Sequence, residues 1–178
     1  MNAMDSQPAI TTEDQPVEIL LVEDNPNDVQ LTLHALKRHR LTNRIHVVRD
    51  GAEALEFLFG TGAYGERKGT ESPKLVMLDL KLPRVDGREV LQEMRADPRT
   101  KTIPVVVLTS SREERDIAEV YNLGANSYVV KPVDFEQFTE AVRQLGLYWM
   151  LLNQQAPSDD GESVPFAGRR DAVVPLAE

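Results

Sequence analysis

Four short apolar runs in this chain each end on a side chain able to do chemistry. Glu23 and Asp24 close VEILLVED, Asp79 closes KLVMLD, Thr109 and Ser110 close VVVLTS, and Lys131 closes SYVVK. An acid or hydroxyl at the end of one such run is ordinary, because it can cap the helix that follows. The set together asks for more. Three carboxylates brought into one pocket repel each other, and their pKa values rise unless positive charge is supplied. The chain has no cysteine, so a metal there is held by oxygen or histidine. Mg²⁺ is the natural ion, being hard and content with carboxylates, a carbonyl, waters and a substrate phosphate. Lys131 offers a second positive charge. Asp79 is then placed to attack an electrophilic phosphorus and form an aspartyl phosphate, with Lys131 and the Thr109 hydroxyl donating to the phosphoryl oxygens.

For these groups to meet, the runs must be parallel strands, because open parallel sheets bind ligands outside the carboxyl ends of their strands. The patterning predicts this. Ile19 to Val22 is apolar without alternation, as in a strand buried on both faces. Asn25 can cap a helix with Pro26 in its first turn and Val29, Leu33 and Leu36 on one face. A second strand, Ile45 to Arg49, leads through Asp50 and Gly51 to a short helix. The glycine-rich stretch 60–73 reads as a long mobile loop. The third strand, Lys74 to Asp79, precedes a helix from Arg88 to Ala96. The fourth precedes a helix for which Ser111 and Glu114 form a capping box and Gly124 the end. The fifth precedes a helix running from Phe135 toward Leu152 with Asp134 at its cap. Five βα units in succession predict a doubly wound five-stranded parallel sheet of α/β class with helices on both faces. Strand order is not legible from the pattern.

Composition narrows the functional class. With 28% charged and 41% hydrophobic residues and no apolar run of bilayer length, a membrane span is not expected. The start, MNAMDSQPAITTEDQP, lacks a basic and apolar signal segment, which predicts a cytoplasmic protein. A net charge of −9 opposes nucleic-acid phosphates. Lys37, Arg38 and Arg40 read as cations at a helix C-terminus rather than as a DNA-binding stripe. Domain boundaries follow: a disordered leader over 1–16, one domain over 17–152, and a flexible tail over 153–178.

The motifs LLVEDN, LDLKLPRVDG, VVLTS and YVVKP, in this order, resemble those of the response-regulator receiver domains of two-component signalling. That resemblance implies a flavodoxin-like sheet of order 2-1-3-4-5. It implies Mg²⁺ held by Asp24, Asp79 and the backbone carbonyl of Lys81, with Glu23 acting through metal-bound water. It implies phosphoryl transfer from a kinase histidine to Asp79, in a signalling protein that assists its own phosphorylation and dephosphorylation rather than an enzyme in the ordinary sense. Thr109 and Tyr128 would be its switch residues, and the Lys131–Pro132 bond would be cis.

No DNA-binding unit is expected after Leu152, so the output is expected to be a protein contact or a phosphorelay. The fifth helix carries a core stripe of Phe138, Val142, Leu145, Trp149 and Leu152, yet LGLYWMLL is apolar all round from Leu147 onward. Exposed apolar patches mark contacts. Tyr148, Trp149 and Leu151 are therefore expected at an interface, in a homodimer through the fourth helix, fifth strand and fifth helix. The long loop and apolar C-terminal segment resemble single-domain regulators that partner bacterial phytochromes, which makes a phytochrome-type histidine kinase the implied donor. The alternative is a Mg²⁺-dependent phosphohydrolase of haloacid dehalogenase type. It calls for a second Asp two residues after the nucleophile, where this chain has Lys81.

Overall fold

A computed structural model describes residues 17–38, 44–110, 112–132 and 134–154. The expected leader and nearly all of the expected tail lie outside them, as does Ser111. The elements alternate throughout: β1 (Ile19–Val22), α1 (Pro26–Arg38), β2 (Ile45–Val48), α2 (Gly51–Phe59), a 3₁₀ segment (Gly62–Arg67), β3 (Leu75–Leu78), α3 (Gly87–Ala96), β4 (Val105–Thr109), α4 (Glu114–Asn122), β5 (Ser127–Val130), α5 (Phe135–Leu147) and a π-helical turn (Tyr148–Leu152). All strand pairs are parallel, and the sheet order is β2-β1-β3-β4-β5.

The unbroken apolar strands have the consequence their pattern implies. Leu20, Val22, Val76, Leu78, Val105 and Val107 face one core with Ala54 and Phe57 of α2, Val90, Leu91 and Met94 of α3, and Val120 of α4. Their neighbours Ile19, Leu21, Leu75, Met77, Val106 and Leu108 face the other core with Val29 and Leu36 of α1, Phe138 and Val142 of α5, and Trp149. Successive side chains on a strand point to opposite faces, so a strand covered on both faces must be apolar at every position. The edge strand β5 is only half-buried along its length, whereas central β3 is fully buried.

Local chemistry fixes the helix starts. Asn25 Oδ1 accepts from the amide of Asn27 at 2.9 Å ahead of α1. Asp50 caps α2 by accepting from Glu53 N at 2.8 Å, and Asp134 caps α5 by accepting from Gln137 N at 2.9 Å. At Gly87, which opens α3, a Cβ would lie 2.2 Å from the carbonyl oxygen of Asp79. Only glycine permits that approach, and it seats the start of α3 directly behind the end of β3.

Several expectations change. The stretch 60–73 contains the 3₁₀ segment, pinned where Tyr64 donates to Glu53 Oε1 at 2.8 Å and Arg67 lies over the Phe57 ring at 3.8 Å. Helix α4 begins at Glu114 behind Glu113, which makes no side-chain cap bond; the capping-box reading counted the helix as starting earlier. Helix α5 leaves α geometry after Leu147 and widens into the π turn. Trp149 stays on the expected core stripe with Phe138 and Val142, 9% exposed in the α1/α5-side core, and so is not the interface residue it was also expected to be, whereas Leu152, expected on the same stripe, is 69% exposed. Every peptide bond among the described residues is trans, Lys131–Pro132 included, trans being the lower-energy isomer for X–Pro by about 0.5–1 kcal/mol.

Candidate functional site

Parallel pairing delivers the carboxyl ends of all the strands to one edge, and the strand order decides which ends are neighbours. β1 pairs with β3, so Glu23 and Asp24 emerge beside Asp79. The ladder runs on past both strands: Asp79 N donates to Val22 O at 3.0 Å and Glu23 N to Val48 O at 3.1 Å. On the other side, Lys131 N donates to Thr109 O at 2.7 Å, which extends the β4–β5 pairing to the lysine itself. Thr109 and Glu23 are buried, Asp79 is 8% exposed, and Asp24 lies at the surface.

Lys131 reaches across the mouth of this edge. Its ammonium donates to Glu23 Oε2 at 2.5 Å, Asp28 Oδ2 at 2.8 Å and Asp79 Oδ2 at 3.0 Å. The other oxygen of Asp79 accepts from the amide of Leu80 at 2.6 Å and of Lys81 at 3.4 Å. Burial raises the Glu23 carboxyl to about 7 even though Lys131 pulls it down. For Lys131 burial works against the charge, but hydrogen bonds to Asp28 and Glu23 and the nearby charge of Asp79 win and hold it well above the usual lysine range. The ammonium is thus permanently charged and fully engaged by acids.

Ligand oxygens of Glu23, Asp24 and Asp79 lie within 4.8 Å of one another. Three anionic oxygens converging at that spacing, with no soft donor among them, fit a hard divalent cation. The structure therefore brings together Glu23, Asp24, Asp79, Thr109 and Lys131. Lys81 stands two residues past Asp79 with an exposed side chain. Tyr128 is half-buried against the α2–α4-side core, and its amide donates to Tyr121 Oη at 3.2 Å. Tyr148 and Leu151 are 51% and 64% exposed. Asp28 went unrecognised in the sequence. In the first turn of a helix an acid reads as a partner of the helix dipole, and nothing local indicates that a lysine 103 positions away will reach it.

A flavodoxin-like sheet with acids just past β1 and β3, a hydroxyl at the end of β4 and a lysine just past β5 defines a phosphoacceptor class of protein. Residues 19–143 match the response regulator receiver domain family. The chain belongs to that family, whose members act in two-component signalling by accepting a phosphoryl group on an aspartate. Among individual relatives, it is 38% identical to the response regulator Rcp1 of Synechocystis sp. (strain PCC 6803) over 76% of this chain and 90% of Rcp1. The crystal structure of the Mn²⁺-bound form of Rcp1 superposes with a TM-score of 0.73, covering 80% of this chain and 100% of the other. The phosphorylated cyanobacterial phytochrome response regulator RcpA is 38% identical with a TM-score of 0.74, covering 80% and 100%. The bacteriophytochrome response regulator AtBRR is 52% identical with a TM-score of 0.62, covering 79% and 100%. The phosphohydrolase alternative gains no support from any of these.

Proposed function

We propose that Asp79 is the phosphoacceptor of a response regulator served by a phytochrome-type histidine kinase. One observation carries the reading: the Asp79 carboxylate lies at the end of the central strand, 3.0 Å from the Lys131 ammonium and within reach of the acidic pair that follows β1. An Asp79 oxygen bonds to phosphorus as the bond from phosphorus to the donor's imidazole nitrogen breaks, the electron pair leaving with the nitrogen. Lys131 turns an N–H to a phosphoryl oxygen, and the Thr109 hydroxyl donates to another. Glu23, Asp24, Asp79 and the Lys81 carbonyl would hold Mg²⁺, which when bound offsets charge on the transferring group. That Rcp1 has a Mn²⁺-bound form supports a divalent ion as the partner of the acidic cluster. The kinase type is supported by the phytochrome regulators among the relatives.

Phosphorylation is read out through protein contacts. Thr109 moves toward the phosphoryl group and Tyr128 closes behind it, which reshapes the surface of α4, β5 and α5. That surface joins two copies of the chain, with Tyr148 and Leu151 at its apolar end. The protein works in the cytoplasm and speeds its own phosphorylation and dephosphorylation. Incubation with Mg²⁺ and acetyl phosphate should add one base-labile phosphoryl group to the wild type, seen by intact-mass spectrometry, and none to Asp79→Asn. Equal labelling of the two would falsify the assignment.

A further inference from the structure

Lys131 has three N–H groups and three acidic acceptors, and they do not have equal calls on them. Glu23 and Asp79 belong to the set whose oxygens converge on the cation position. Asp79 is also the atom donor of the new P–O bond. Asp28 belongs to neither. It enters from the first turn of α1, 2.8 Å from the ammonium, with its side chain 26% exposed and that of Lys131 only 9% exposed. When Glu23 and Asp79 turn toward a cation and a phosphoryl group, the lysine keeps one acidic partner that has no other duty.

We propose that Asp28 is a positioning residue: it holds the Lys131 ammonium at the reaction edge, so that the N–H released by Asp79 is aimed at the phosphoryl oxygen. This rests on the reading of Asp79 as phosphoacceptor. The anchor matters because a lysine head is a point charge on a flexible four-carbon stem. Its backbone end is fixed by the bond from Lys131 N to Thr109 O, at 2.7 Å, but the far end is fixed only by its acceptors. A donor held in place before the transfer lowers the barrier, whereas one that must be recruited does not. Placing the anchor on α1 also ties the lysine that follows β5 to the helix that follows the acidic pair.

The test is a double-mutant cycle read as the rate of Asp79 labelling by acetyl phosphate with Mg²⁺, in the full chain. Asp28→Asn keeps the size of the side chain and removes its charge. It should slow labelling about tenfold at saturating acetyl phosphate with little change in KM, the order expected when one charge-assisted hydrogen bond is weakened in the transition state. In a Lys131→Ala background the same change should slow labelling less than twofold, because there is nothing left to position. Wild-type labelling of Asp28→Asn overturns the proposal, and so does an undiminished tenfold effect without the lysine, which would mark Asp28 as a support of α1 alone. Should Lys131→Ala label too slowly to follow, the ammonium ¹⁵N resonance of Lys131 decides. It should be sharp and protected from exchange in the wild type and broadened in Asp28→Asn, and an unchanged signal overturns the inference. Asp79→Asn, run alongside, separates the two readings. Labelling that survives in Asp79→Asn fails the phosphoacceptor assignment, while labelling lost there but normal in Asp28→Asn fails only the positioning role.

Discussion

At Lys131 one buried cation answers a ring of acids, and the energetics follow from what each can do without it. Glu23, Asp28 and Asp79 all hydrogen-bond the ammonium. Removing one partner of a buried ion pair leaves uncompensated charge, which costs about 3 kcal/mol or more. Lys131→Ala is therefore expected to lower thermal stability in the absence of divalent cation and to slow labelling of Asp79 sharply. A cation between Glu23, Asp24 and Asp79 supplies the same relief by other means. Added Mg²⁺ should therefore raise the melting temperature of Lys131→Ala by more than it raises that of the wild type. Melting curves with and without Mg²⁺ check this, and equal Mg²⁺ shifts in the two proteins would contradict it. Burial, with a smaller push from the charge of Asp79, raises the Glu23 pKa against the pull of Lys131. The folded value of about 7 exceeds the ordinary 4.5, so in cation-free protein the contribution of this group is full below 4.5 and is lost as pH rises through 7.

Among the elements, the 3₁₀ segment Gly62–Arg67 departs furthest from expectation, and its side chains explain why. Phe57 of α2 stacks on His46 of β2 with centroids 4.4 Å apart, Tyr64 meets both rings edge-on, and Arg67 covers the Phe57 face. Four glycines in the stretch 60–73 suggest mobility, but one tyrosine with a partner at each end of its ring outweighs them. Burial, and then the hydrogen bond to Glu53, push the Tyr64 hydroxyl up to about 12. Its folded value lies above the ordinary 10.0, so its stabilising bond is complete below pH 10 and is lost as pH rises through 12. Tyr64→Phe should cost about 1 kcal/mol at neutral pH by urea unfolding. It should also delete a late step near pH 12 from the tyrosinate absorbance titration, and a titration curve unaltered at high pH would count against the anchored loop. Helix α5 gives the opposite lesson. Its apolar end divides: Trp149 holds to the core stripe, while Tyr148, Leu151 and the expected stripe member Leu152 lie outside at the π turn.

For the whole molecule that division decides how association is probed. Truncation after Gly146 would strip Trp149 from the α1/α5-side core and confound assembly with unfolding. Leu151→Glu changes a side chain that is 64% exposed and leaves the core intact. It is expected to shift full-length protein from dimer to monomer in sedimentation velocity, with the melting temperature of the monomeric form unchanged. A monomeric wild type, or a variant that remains dimeric, would remove LGLYWMLL from the interface.

The sequence by itself determined the repeating βα order, the two-sided burial of the central strands and the chemical identity of the groups at their ends. These are local properties: a strand apolar at every position can be satisfied only between two layers, and its last residue must emerge at the sheet edge. The cap of α5 at Asp134 was legible for the same reason. Tertiary structure alone decided which strand ends are neighbours, because pairing between β1 and β3 joins residues more than fifty positions apart by contacts that leave no periodic trace. It set Asp28 against Lys131, left Leu152 outside the core and folded Tyr64 over the edge of the sheet. Asp79 owes its position to the apolar run that precedes it, and its surroundings to the order in which the strands lie.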